Sequence, residues 1–149
     1  MEDQLSSFES NEYLAAEHAL AYLAKQDKFP HRTEGEAVLM ELLPKMTKRI
    51  LDLGTGDGRL LHIAMLAFPR ANGIGIDFSP TMLSHAKERF GNDQRISLID
   101  HNLSYPLSID GEFDAIISSF ASHHLLDERK RRLFQDRVFL LFRVLEIEE

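Results

Sequence analysis

The sequence predicts an α/β protein built on a parallel sheet, and three observations carry that expectation. From residue 49 onward, short apolar stretches of strand length alternate with stretches of helical periodicity. Gly54, Gly56 and Gly58 stand where the first apolar stretch hands over to the first helical one, a place where a bare backbone is useful. Ser79 followed by Pro80 opens the next helix, and Gly91 closes it.

Taken in order, "EYLAAEHALAYLA" (12–24) sets Leu14, Ala15, Ala19, Tyr22 and Leu23 near helical spacing, and Pro30 breaks that helix because it lacks an amide donor. Thr33 followed by Glu36 reads as a capping box for a helix through Leu43 that stops at Pro44. Strands are expected over 49–54, 72–77, 95–100 and 113–120, with helices over 58–68 and from Pro80 to Phe90. Between the third and fourth strands, "LSYPLSIDGE" is too polar and too broken for a helix, and Asp127 can cap a last one. Short apolar strands joined mainly by helices argue for a sheet covered on both faces.

Composition narrows the function. The 149 residues fit a single domain over 1–149, and 44% hydrophobic with 28% charged residues is a soluble composition. A net charge of −7 without a lysine or arginine block in a loop argues against a sequence-independent grip on nucleic acid, and "DERKRR" reads as a solvated helix face. The absence of cysteine excludes disulfides, thiolate zinc sites and cysteine nucleophiles. No apolar run is long enough to span a bilayer, and the start "MEDQLSSFES" is unlike a signal peptide, so a cytoplasmic protein is expected. His123 and His124 are adjacent and point apart, with no further ligand at metal spacing, so no metal site is expected.

The glycine loop joins a strand to a helix whose first turn would offer amides and a positive dipole end to an anionic group. Asp77 ends the second strand, where a carboxylate can accept from both hydroxyls of a ribose. Together they form a nucleoside-binding constellation at the strand ends. A dinucleotide loop wants G-x-G-x-x-G, whereas here Asp52 and the glycines spell D-x-G-x-G-x-G, which disfavours a dinucleotide-binding domain.

The ordered set "LDLGTGDG", "GIGIDFSPTML", "IDHNLSYPL" and "FDAIISSFASHHL" resembles the motifs of class I S-adenosylmethionine-dependent methyltransferases, over a core of about residues 30–134. The resemblance implies a Rossmann-like doubly wound sheet with N-terminal helices and strand order 3-2-1-4, continued in the family by three further strands. It implies S-adenosylmethionine as cofactor and methyl transfer to an acceptor that the sequence does not name. Gly54, Thr55 and Gly56 would pass beneath the methionine part, and Asp52 would orient the loop and face the ammonium. Asp77 would hold the ribose, and Phe78 would lie along the adenine. Asn102 stands where the family most often has an aspartate for the adenine amino group, and Leu103 would offer its backbone amide to the ring. Ser118 and Ser119 end the fourth strand, where cofactor and acceptor meet, and Arg32 could reach the cofactor carboxylate. His124 is the candidate general base, although a packed or solvated histidine is the commoner state. The 135–149 tail, "QDRVFLLFRVLEIEE", is atypical of the family, which usually turns there into a fifth strand, and leads to the expectation of a chain truncated after the fourth strand and the helix that follows it. Its apolar run Val138–Phe142 and the open edge of that strand would favour homo-oligomers. Two outcomes follow from the resemblance: a methyltransferase, or a cofactor-binding half-domain without turnover.

Overall fold

A computed structural model describes residues 32–118. The helix expected over 12–24, the one capped by Asp127, Ser119, His124 and the 135–149 tail lie outside that range.

The described elements run α1 (Arg32–Leu42), β1 (Arg49–Leu53), α2 (Arg59–Ala67), β2 (Asn72–Asp77), α3 (Pro80–Phe90), β3 (Ile96–Asp100) and β4 (Ala115–Ser118). All strand pairs are parallel and the sheet order is β3-β2-β1-β4, as the resemblance implies. In β1, Leu51 pairs with Ile74 and Ile116, and Asp52 pairs with Gly75 and Ile117. The central position of β1 explains its apolar sequence: Ile50, Leu51, Asp52 and Leu53 are all buried. The outer strand β3 is half-buried or exposed along its length.

Alternation along the strands separates two cores. On one face Ile50, Ala115 and Ile117 meet Leu39 of α1 and Leu60, Leu61, Ala64 and Met65 of α2, with Phe90 of α3 packed against the same cluster. On the other, Leu51, Leu53 and Ile76 meet Leu103, Ile109 and Phe113 of the β3–β4 connection. The sheet is thus covered on both faces, as expected: among the described residues the three helices share one face, and the β3–β4 connection seals the other. That loop is held from below, because Arg49 stacks over Phe113 at 4.4 Å and donates to the carbonyls of Asp110 and Glu112 at 2.7 and 3.2 Å. Asp114 fixes the start of β1 by accepting from the amides of Lys48 and Arg49 at 2.8 and 2.9 Å.

Helix ends follow the local chemistry. Ser79 caps α3 by accepting from the Met82 amide at 3.3 Å, and Gly91 ends it at φ 56°. The expected capping box at Thr33 and Glu36 is not the start of α1, which already runs from Arg32. The Glu36 carboxylate instead takes both Nε and Nη2 of Arg59, at 3.0 and 3.3 Å, and so ties α1 to the first residue of α2.

Candidate functional site

The carboxyl ends of β1, β2 and β3 bring the glycine loop, Asp77 with Phe78, and Asn102 with Leu103 to one edge of the sheet, and Ser118 ends β4 beside Leu53. Between β1 and α2 the loop passes through Gly54, Gly56 and Gly58 at φ 70°, 58° and 82°, a left-handed backbone that L side chains rarely adopt.

The loop is bonded to its own surroundings. The Thr55 amide donates to the Ile76 carbonyl at 2.8 Å, and the Gly58 amide donates to the Thr55 carbonyl at 2.9 Å. The Gly56 amide donates to Asp77 Oδ2 at 2.9 Å. At the start of α2, the Arg59 amide donates to Asp57 Oδ1 at 3.2 Å. Four of the anion-ready amides expected from a bare loop before a helix are thus engaged, two of them by carboxylates.

Each acid has a different set of partners. Asp77 is half-buried, and its second oxygen accepts from the Ser79 amide at 2.9 Å, so it joins the loop to the entry of α3. Asp57 is buried, and Arg89 of α3 donates to its carboxylate at 2.8 Å and to its carbonyl at 3.0 Å. Asp52 is 1% exposed beneath the loop. Its Oδ2 accepts from the Thr55 hydroxyl at 2.8 Å, and its Oδ1 is buried without a hydrogen-bond partner. Burial without a cation pushes the Asp52 carboxyl up to about 7, the Thr55 bond opposes this, and the charges of Asp77 and Asp57 add to it. The nearby Leu61 amide opposes it slightly, short of hydrogen-bond geometry.

A raised carboxyl stabilises the fold when protonated: its contribution is complete below the unfolded value near 3.8 and is lost as pH rises through about 7. Asp52→Asn should therefore be more stable than wild type at pH 8, by roughly 1–3 kcal/mol once the unpaired amide is allowed for. The gap should shrink as pH falls toward 4. Urea unfolding at pH 8, 6 and 4 reads this directly, and a gap that widens on acidification would contradict it.

Phe78 is 60% exposed and Tyr105, in the neighbouring connection, is 64% exposed, which puts two aromatic surfaces near the strand ends. Asn102 is exposed, and its side-chain oxygen accepts from the Ser104 amide at 2.9 Å. Leu103 faces its side chain into the core. The Ser118 hydroxyl donates to the Leu53 carbonyl at 2.9 Å. Arg32 begins α1. Sequence reasoning missed Asp57, Arg89 and the Glu36–Arg59 pair. It also passed over Gly75, where a Cβ would stand 2.9 Å from Thr55 Oγ1: the bare β2 position gives Thr55 room to reach Asp52. No group of three or more metal-ligating side chains occurs among the described residues.

A family model described as a methyltransferase domain matches residues 50–143. Among curated proteins, the release factor glutamine methyltransferase of Agrobacterium fabrum is 34% identical over 113 residues, covering 68% of this chain and 38% of that protein. The demethylmenaquinone methyltransferase of Thermus thermophilus is 38% identical over 91 residues, covering 59% and 40%. The chain thus spans about two fifths of the length of these relatives. Among solved structures, an S-adenosylmethionine-dependent methyltransferase from Mesorhizobium loti aligns with TM-score 0.55 and 28% identity over 69% of this chain and 49% of that one. Human N-acetylserotonin methyltransferase, solved in complex with S-adenosylmethionine, shares the fold with TM-score 0.60 at 20% identity, over 85% and 36%.

Proposed function

The chain belongs to the methyltransferase-domain family, and from that premise we propose that it binds S-adenosylmethionine at the carboxyl edge of its sheet and serves methyl transfer. The observation that carries the reading is the charge of the loop. The amides that a dinucleotide's pyrophosphate would need at Thr55, Gly56, Gly58 and Arg59 donate internally. Asp52 meanwhile keeps an unpartnered buried oxygen. Such a site offers a phosphate few donors and suits a ligand that brings its own donors and positive charge. S-adenosylmethionine, when bound, supplies an activated methyl group on a cationic sulfonium. Gly54, Thr55 and Gly56 would lie beneath its methionine portion, with Asp52 acting on the ammonium from below. Asp77 would accept from the ribose hydroxyls through the lone pairs its two amide donors leave, and Phe78 would cover the adenine. Asn102 would turn its side chain, and Leu103 its backbone amide, to the adenine edge. Ser118 and Arg32 would border the methionine end.

The acceptor is left open, because the two curated relatives are named for different ones, a release-factor glutamine and demethylmenaquinone. Cofactor binding without turnover is the second reading, favoured by β4, which among the described residues pairs with β1 alone and so presents an edge without a partner strand in that range. A single domain, a cytoplasmic setting and self-association through that edge complete the proposal. No helix among the described residues is long and apolar enough to cross a membrane.

Calorimetry with S-adenosylmethionine, its demethylated product and NAD tests the cofactor. The first two should bind at least about tenfold tighter than NAD. Tighter NAD binding would refute the assignment, and a methyl-transfer assay with labelled cofactor then separates turnover from binding alone.

A further inference from the structure

Four carboxylates cluster around the loop, and their partners differ in kind. Glu36 has Arg59, Asp57 has Arg89, and Asp77 has the amides of Gly56 and Ser79. Asp52 has one neutral hydroxyl, from Thr55, and is the most deeply buried of the four. Among the described residues, the charged and titratable groups on the elements packed around it have partners of their own. Asp57 in the loop and Asp77 on β2 both act to keep Asp52 neutral. Glu36 on α1 and Arg59 on α2 are paired with each other, and Arg89 on α3 is held by Asp57. His62 on α2 lies with its ring 6.0 Å from Phe90. On β4, the Ser118 hydroxyl is given to the Leu53 carbonyl.

A buried carboxylate with no cation and one free oxygen is costly, and a proton relieves it. We propose that Asp52 holds a proton in the ligand-free protein and releases it to solvent when the cationic cofactor seats above the glycine loop. The inference rests on the cofactor reading of the preceding subsection. The balance is simple: the O–H bond of the Asp52 carboxyl breaks, its proton passes to buffer, and the positive charge of the ligand replaces it. Burial holding this carboxyl near 7 puts the exchange within the physiological range. Binding then becomes pH-dependent through a residue that does not reach the surface. Affinity for the cation rises as pH goes from 6 to 7, up to about tenfold for one proton per pH unit. Thr55 is the positioning partner, because its hydroxyl holds one oxygen of either protonation state.

The full 149-residue chain should be titrated with S-adenosylmethionine in buffers of different ionisation enthalpy at pH 6 and 7, where the ligand ammonium stays charged. Wild type should release a substantial fraction of one proton, and Asp52→Asn none. In parallel, the Asp52 carboxyl carbon of the ligand-free wild type should be followed by NMR from pH 4 to 9. A midpoint near neutrality is expected. A midpoint in the ordinary carboxylate range overturns the proposal whether or not the cofactor binds, and this readout does not depend on the variant folding. Binding with no proton release, or equal release in Asp52→Asn, overturns it as well. A neutral-range midpoint in a protein that does not bind S-adenosylmethionine refutes the cofactor assignment, and the exchange with it.

Discussion

Gly58→Ala is expected to lower the unfolding free energy by roughly 2–5 kcal/mol, from backbone strain of about 1–2 and overpacking of about 1–3. Gly58 sits at φ 82°, and a Cβ there would stand 2.5 Å from Phe90 Cε2 and 3.1 Å from Phe90 Cζ. Phe90 cannot simply withdraw, because it packs on the helix-side core and against His62. Against a typical total of about 5–15 kcal/mol, this is a large loss. Gly56 is the contrast: its Cβ would meet only Met82 Cε at an ordinary 3.7 Å, so Gly56→Ala should cost the fold about 1–2 kcal/mol, from strain alone. Its main effect should fall on ligand binding. Urea unfolding of both variants is decisive, and equal losses would show that Phe90 does not constrain Gly58.

Asp77→Ala should weaken S-adenosylmethionine binding by about a hundredfold or more. A carboxylate that accepts from two ribose hydroxyls contributes roughly 1.5–3 kcal/mol, and here the same group also anchors the loop. Without it the amides of Gly56 and Ser79 lose their acceptors, at 2.9 Å each, so the melting temperature should fall too. Asp77→Asn keeps one acceptor oxygen and turns its amide nitrogen against a donor, so its affinity should lie between alanine and wild type. Calorimetry with thermal melts on both variants tests this. Wild-type affinity in both would remove Asp77 from the binding site.

The strands were readable because short apolar stretches alternate with helical ones and end in glycine or aspartate at β1 and β2, whereas their order came from the resemblance of the motifs and not from composition. The opening of α3 was equally plain, since Ser79 and Pro80 act through their own backbone neighbours. What escaped depended on distance along the chain. Glu36 is three residues from Thr33, which suggested a local cap, yet its partner Arg59 is 23 residues away. Leu103, Ile109 and Phe113 cover one face of the sheet at spacings that match neither helix nor strand periodicity, so no pattern announced them. At the site, the motif located Asp52 and Asp77 on the right strands. It could not show that one is buried with a single donor while the other is held by two amides, because ionisation follows from burial and partners rather than from residue type.

Glycine-rich loops are commonly thought of as slack, and this one is braced on both sides. Its amides at 55, 56 and 58 are bonded inward, and Asp57 within it is clasped by Arg89. The conformational entropy of the loop is therefore surrendered when the chain folds, not when a ligand arrives. At this loop, a ligand meets a surface whose ordering cost has already been met. Association then needs no rearrangement of this loop. A bare backbone serves here as a rigid floor whose shape is decided before anything stands on it.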